Sequence, residues 1–123
     1  MKENWMECMT SYFAEKKKAC EQQMQRCRAD LREDEAVFAR IRGNVYDAFA
    51  AVFSVAVQQG KGDDEKVKQF FCNKLKQIPM GWHTSLELAR QHGDEKKAYL
   101  EEIKLETVGE IEKMFGRLEE DTP

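Results

Sequence analysis

Turn-forming residues are scarce in this sequence, which has only two prolines and seven glycines among 123 residues. Sheet proteins need more of these residues at their many turns, so the scarcity argues against a sheet-rich fold. Charged residues make up 35% of the chain and hydrophobic residues 41%, which is typical of long amphipathic helices. We therefore predict an all-α fold that forms a single helical domain over residues 1–123.

The sequence also lacks an apolar run long enough to cross a bilayer. Its longest apolar stretch covers residues 48–57 and includes Ser54, whereas a membrane-spanning helix needs about 20 residues. Glu3 and Glu7 interrupt the N-terminal region before an apolar segment develops, so we expect no signal peptide. These features predict a cytoplasmic protein that does not bind membranes.

An excess of positive charge is missing as well. The formal net charge is −3, and acidic and basic residues alternate along much of the chain. A protein that binds a phosphate backbone usually carries a basic surface, so we predict that nucleic acid is not a partner. The alternating charges are typical of solvated helix faces on which neighbouring side chains pair.

Metal-binding patterns are absent from the sequence. The four cysteines never form a C-x-x-C pair, and Cys20 and Cys27 are seven residues apart, wider than the spacing of zinc ligands. Met80 and Ala89 lie three residues before the histidines, His83 and His92, so neither histidine completes the Glu-x-x-His motif of di-metal bundles. We predict four reduced thiols, no metal and no cofactor.

Catalytic motifs are equally scarce. The chain has no glycine-flanked nucleophile at the end of a strand, and the "GKG" at residues 60–62 lacks the spacing of a phosphate-binding loop. A thiol and a histidine, such as Cys72 and His83, could still meet in the fold, but their neighbours show no supporting pattern. We predict that the protein is not an enzyme and has no catalytic residue.

What the sequence does contain is a helical rhythm of apolar residues. From residue 20 the apolar positions recur at steps of three, four and seven, and the rhythm crosses Gly43 and Asn44 without changing phase. A turn at this pair would have reset the phase, so we predict that Gly43 lies inside a helix. Replacing Gly43 with alanine should then stabilise the fold by about 0.5 to 1 kcal/mol.

The same rhythm allows either one helix over residues 4–59 or two helices with a break at residues 29–34. One helix of that length would reach about 84 Å and would have to project from the domain. The segment "DLRE" offers Asp30 as an N-cap with Glu33 three residues later, which forms a capping box. We favour the break, although no glycine or proline marks it.

In the rest of the chain, glycine, proline and aspartate residues mark where helices begin and end. We predict a loop at residues 58–64, a helix that begins at Asp63 or Asp64 and ends before Pro79, and a short helix from about Trp82 to His92. Gly93 ends that helix, and Asp94 caps the last one. The predicted architecture is a four- to five-helix antiparallel bundle with long helices, whose third arm is broken near Pro79.

One segment suggests a function. Residues 48–57 are apolar nearly all round the helix, so a lone bundle would leave part of this surface exposed to water. We predict a non-enzymatic interaction or structural protein that associates through residues 31–59, most simply as a homodimer or else with another protein. The candidate interface residues are Phe38, Ile41, Val45, Phe49, Val52 and Phe53.

An alternative function is a regulatory or small-ligand sensor with an apolar cavity between its helices. Met24 and the flanking cysteines lie on a helix face that could meet the apolar segment of the next helix. The predicted lining is Cys20, Met24, Cys27, Phe49 and Phe53.

Overall fold

A computed structural model provides the structure of the protein and describes residues 4–121. The described residues are 91% helical and contain no strand, which confirms the predicted all-α bundle. The break between the first two helices also lies within the predicted segment. The five helices are α1 (Trp5–Ala29), α2 (Glu33–Gly60), α3 (Asp64–Gln77), α4 (Pro79–Gln91) and α5 (Glu95–Asp121).

Helices α3 and α4 form one nearly continuous arm. The chain bends by 11° at Ile78, and α4 begins at Pro79, three residues earlier than the predicted start at Trp82. A proline is tolerated in the first turn of a helix because the amide hydrogen that it lacks would have no helical partner there. Pro79 therefore marks a joint in the third arm without reversing the chain.

Helix α2 is the centre of the bundle. It packs against α1, α3 and α5, whereas α4 packs mainly against α5. Short connections join consecutive arms, so α1, α2, the α3–α4 arm and α5 run alternately up and down. The start of α1, the end of α5 and the α2–α3 loop lie at one end of the bundle, and the α1–α2 and α4–α5 turns lie at the other.

Aromatic side chains dominate the core near the chain termini. Phe71 is fully buried, and its ring makes edge contacts with Phe53 at 5.2 Å and with Phe115 at 5.1 Å between centroids. Edge-to-face pairs of this kind add to the free energy gained from burial alone. A second, smaller cluster near the two turns consists of Leu86, Ala89 and Ala98, with Leu105 against it.

The α1–α2 turn corrects the predicted role of Asp30. Asp30 is the C-cap of α1 and not the N-cap of α2, because the next residue, Leu31, adopts a left-handed conformation with φ of 61°. The Leu31 amide donates to the Arg28 carbonyl at 3.1 Å, and the Arg32 amide donates to the Cys27 carbonyl at 2.7 Å. These two bonds form a Schellman motif, which ends α1 without a glycine.

Helix α2 then starts without a side-chain cap. Arg32 is its N-cap residue, and no side chain accepts a hydrogen bond from the first turn. Glu33, the second member of the predicted capping box, is the first helical residue. The capping box is therefore wrong, although the position of the break is right.

The α4–α5 turn follows the sequence prediction closely. Gly93 adopts φ of 69° after the C-cap His92, and the Asp94 amide donates to the Ala89 carbonyl at 2.8 Å. The Asp94 carboxylate accepts a hydrogen bond from the Lys97 amide at 3.1 Å, which caps α5. Asp63 caps α3 in the same way by accepting from the Glu65 amide at 3.0 Å.

Gly43 lies inside α2, which confirms the helical prediction for this residue. A Cβ atom added there would approach the Cβ of Cys20 on α1 to 3.3 Å, which is closer than most Cβ contacts in proteins. The two helix backbones therefore approach closely at this pair. Helix propensity alone no longer justifies the predicted gain from Gly43→Ala, because α1 would have to yield to the added methyl group.

Candidate functional site

The six predicted interface residues lie mostly on the inner face of α2. Val45, Phe49 and Phe53 are 4%, 0% and 3% exposed, so they pack inside this chain. Phe38 is half-buried with its ring 4.8 Å from that of Tyr99 on α5, and Ile41 and Val52 are also half-buried. These three residues therefore contribute little to the surface of the chain, although Phe53 also lines the groove described below.

Other residues of α2 face the solvent, and the C-terminal part of this helix carries no charge. No charged residue occurs from Ala48 to Gly60, although 35% of the whole chain is charged. We name the exposed residues of this segment the α2 outer face. They are Ala48, Ala51, Ser54, Val55, Gln58 and Gln59.

A groove lies beside the α2 outer face, along the contact between α1 and α2. Its volume is about 550 Å³, and its apolar lining includes Ala14, Ala50, Phe53 and Val57. Lys17 also lines this groove and pairs with Asp47 across the two helices at 2.6 Å. Ser54 and Gln58 belong to both the outer face and this α1–α2 groove, which thus form a continuous surface that is uncharged apart from the Lys17–Asp47 ion pair.

The residues predicted to line an apolar cavity are not gathered around one space. Cys20 and Met24 line a smaller groove of about 210 Å³ beside Gly43. Phe53 lines the α1–α2 groove instead, and Cys27 and Phe49 are fully buried. None of the grooves described above contains all five side chains.

A polar cluster lies where α1, α2 and α5 meet. The hydroxyl of Tyr46 on α2 donates to Oε2 of Glu110 on α5 at 2.6 Å, and the Tyr12 ring on α1 packs edge-on against Tyr46 at 6.0 Å. Burial, followed by the bond to Glu110, raises the pKa of Tyr46 above its ordinary value. Burial also raises the pKa of Tyr12. Both phenols are therefore hydrogen-bond donors at neutral pH.

Three basic side chains surround this cluster. Lys16, Lys113 and Arg117 line a groove of about 300 Å³ together with Tyr12 and Glu110, and we name it the α1–α5 groove. Three positive charges therefore face one carboxylate in a protein whose net charge is −3. No sequence pattern indicates this groove, because its residues come from opposite ends of the chain and share no motif.

A buried ion pair lies on the other side of α5. Glu101 is 6% exposed, and its Oε1 accepts from Lys104 Nζ at 3.2 Å. Lys104 Nζ also lies 5.8 Å from the centre of the Trp82 ring, an interaction that favours the ammonium group. The second carboxylate oxygen of Glu101 is buried and accepts no hydrogen bond from the part of the chain that the structure describes. This pair adds desolvation cost to the packing of α4 against α5.

No disulfide bond joins the four cysteines, which all lie within residues 4–121, and of these four only Cys27 is fully buried. Burial raises the pKa of Cys20, which lowers its thiolate fraction and hence its nucleophilicity. Within residues 4–121 no group of three or more histidine, cysteine, aspartate or glutamate side chains could hold a metal ion. Over the same residues no helix is both long enough and apolar enough to span a bilayer.

Comparison with protein-family models, curated proteins and solved structures finds no match to this chain. The class of protein is therefore defined by the fold alone, as an all-α helical bundle. Its α2 outer face with the adjoining α1–α2 groove, and its α1–α5 groove, are the two surfaces whose chemistry bears on function.

Proposed function

We propose that the protein is a non-enzymatic interaction module of the cytoplasm that forms a homodimer through the α2 outer face. The single observation that carries this proposal is the absence of charge on an exposed helical surface, from Ala48 to Gly60, of a highly charged protein. The cytoplasmic location is supported by the four cysteines of residues 4–121, which form no disulfide bond with one another.

A second copy of the chain suits this surface because of symmetry. In a two-fold dimer each residue near the axis meets the same residue of the partner, so a charged residue there would face a like charge. Ala51 is near the middle of the outer face and is flanked by Ala48 and Val55 one turn away on either side. Small uncharged side chains allow two such helices to approach closely without repulsion.

The adjoining groove enlarges the surface that a partner can cover. Ser54 and Gln58 of the outer face also line the α1–α2 groove, so a partner that covers the outer face can extend into the groove. A stable interface buries about 800 Å² on each partner, which is more than one helix face supplies. Helix α1 therefore contributes to the proposed interface through Ala14 and the groove that it lines.

The test introduces one charge at the centre of the outer face. Ala51→Glu should leave the helix content unchanged, because Ala51 is exposed and glutamate is a good helix former. Sedimentation at micromolar concentration under reducing conditions should give a mass near twice 14.4 kDa for the wild type. The variant should sediment as a monomer, because its glutamates would face each other across the axis.

Ala19→Glu is the matched control, since Ala19 is an exposed helical alanine on α1 that lies outside the groove. This control should remain dimeric. A wild type that stays monomeric, or an Ala51→Glu variant that still dimerises, would contradict the proposed interface. Val52→Asp is a poorer probe because Val52 packs against the core, so the aspartate would destabilise the monomer as well.

A further inference from the structure

We propose that the α1–α5 groove binds a small soluble phosphate monoester, with the phosphate held by Lys113, Arg117 and Lys16. These side chains come from two helices and converge on one groove beside the Tyr12 hydroxyl. This activity is separate from dimerisation, because the α2 outer face and the α1–α5 groove share no residue.

The basic residues of the groove are unpaired. Lys113 and Arg117 are four residues apart on α5, a spacing at which like charges repel and destabilise a helix. Neither side chain forms an ion pair with any residue in the described part of the chain. Glu110, three residues before Lys113, is instead hydrogen-bonded to Tyr46. The Glu110 carboxylate, which lines the same groove, offsets only part of the charge of the three cations, so a bound anion would reduce the repulsion that remains.

The donor set matches a phosphate dianion. The guanidinium of Arg117 offers two parallel N–H donors, and each lysine offers a compact positive charge. Lys16 Nζ lies 5.7 Å from the centre of the Tyr12 ring, close to the groove, and it forms no ion pair with any residue from 4 to 121. Tyr12, whose hydroxyl forms a hydrogen bond with Tyr46, lines the same groove.

The neighbouring surface indicates what the phosphate is attached to. A second groove of about 390 Å³ shares Tyr12 and Met114 with the first, and it contains Glu7, Ser11 and Glu15. Acceptors at one end and cations at the other complement a ligand with an amine or hydroxyl group beside its phosphate. The substituent is therefore a short polar body with hydrogen-bond donors.

The size and charge of the surroundings favour a small ligand over a polymer. The phosphate-binding part of the groove measures about 300 Å³. Beyond it the surface carries acids, including Glu7 and Glu15, and the whole chain has a net charge of −3. A nucleic acid would meet repulsion along most of its length.

Isothermal titration calorimetry with O-phosphoethanolamine tests the proposal. This probe joins a phosphate monoester to an amine, and it should bind more tightly than inorganic phosphate, whereas ethanolamine alone should bind weakly. The double variant Lys113→Gln/Arg117→Gln should lose about tenfold or more in affinity for both phosphate probes, because it removes two charge-assisted contacts. The exposed positions of both residues keep the variant folded.

The matched control is Lys96→Gln/Lys97→Gln, which removes the same charge from exposed positions of the same helix. It should bind like the wild type. Equal losses in the two double variants would show only a general charge effect and would overturn the site. The proposed site would also be overturned if neither O-phosphoethanolamine nor inorganic phosphate bound the wild type at millimolar concentration.

A cosedimentation experiment with lipid vesicles shows whether the groove binds a soluble phosphate ester or the headgroup of a membrane lipid. Wild-type protein should not cosediment with phosphatidic acid vesicles at concentrations where O-phosphoethanolamine binds. Cosedimentation that Lys113→Gln/Arg117→Gln abolishes, without binding of the soluble ester, would overturn the soluble ligand in favour of a membrane. Repeating the titration on Ala51→Glu keeps the result independent of dimerisation.

Discussion

Leu31 and Gly93 occupy the same position in two helical hairpins of this protein. Each follows the C-cap residue of a helix and adopts a left-handed conformation. In both turns the amide of the next residue donates a hydrogen bond to a carbonyl in the last turn of the helix. Glycine suits this position because it has no Cβ atom to crowd the backbone. Leu31 holds the same conformation with its side chain 85% exposed, so it gains little burial in return.

We therefore predict that Leu31→Gly stabilises the protein by roughly 0.5 to 1 kcal/mol. Left-handed strain of about 1 to 2 kcal/mol disappears, and the extra freedom of glycine in the unfolded chain offsets part of that gain. Urea denaturation measures the change. Leu31→Ala is the control, since it removes the exposed side chain but keeps Cβ, and it should gain much less. Equal gains in both variants would show that the side chain, not the backbone, was the source.

Replacing two helical glycines, Gly60 and Gly109, with alanine should change the stability of the fold in opposite directions. A Cβ atom at Gly60 would overlap Cγ2 of Val67, which is fully buried, whereas a Cβ atom at Gly109 would meet no atom within 4 Å. Gly60→Ala should destabilise the fold by about 1 to 3 kcal/mol through overpacking. Gly109→Ala should stabilise it by about 0.5 to 1 kcal/mol through helix propensity.

Thermal or urea unfolding of the two variants compares identical substitutions in different surroundings. A stable Gly60→Ala variant would mean that Val67 moves aside without cost, and the close approach of α2 and α3 would then be unimportant for packing. Loss of stability in Gly109→Ala would indicate that α5 is covered at this position by something other than water. Gly116, also open to an added Cβ atom, serves as a second reference.

Alkaline stability should depend on Tyr46. Because its pKa is higher in the folded chain than in the unfolded chain, the neutral phenol stabilises the fold below about pH 10. This contribution is lost as the pH rises above 10, where the unfolded chain releases the proton first. Tyr46→Phe also removes the bond to Glu110, so we expect a loss of roughly 1 to 2 kcal/mol at pH 7 that shrinks above pH 10.

Urea denaturation of the wild type and Tyr46→Phe at intervals from pH 7 to 11 measures that difference. Tyr99→Phe is the control, because Tyr99 is half-exposed and its hydroxyl forms no hydrogen bond to any residue from 4 to 121. The stability difference between this control and the wild type should change little with pH. A constant difference for Tyr46→Phe across the range would contradict the coupling of Tyr46 ionisation to folding.

The sequence predicted the helices well because helix formation depends on local patterns. The apolar rhythm through Gly43, the caps at Asp63 and Asp94, and the left-handed Gly93 all use signals within a few residues of each other. The α1–α2 turn was located correctly but given the wrong caps, since a leucine in a left-handed conformation has no sequence signal. Likewise, the closeness of Gly43 to Cys20 depends on the packing of α1 and α2, which no local pattern records.

The candidate sites were far less predictable. An apolar face looks the same in sequence whether it lines the core or meets a partner, and Val45, Phe49 and Phe53 proved to line the core. The α1–α5 groove depends on residues about 100 positions apart, such as Tyr12 and Lys113, that come together only in three dimensions. Without aligned sequences or a motif, spacing along the chain could not have paired them.

The two ends of the bundle bury different amounts of apolar surface, so the free energy of local unfolding differs between them. Near the termini the aromatic rings of α1, α2, α3 and α5 interlock, whereas near the two hairpin turns the buried cluster of α4 and α5 consists of Leu86, Ala89 and Ala98. Opening the α4–α5 hairpin exposes less apolar area than separating the aromatic core, so it costs less free energy. Backbone amides of α4 therefore exchange with solvent before those of α3, although the two helices form a single arm.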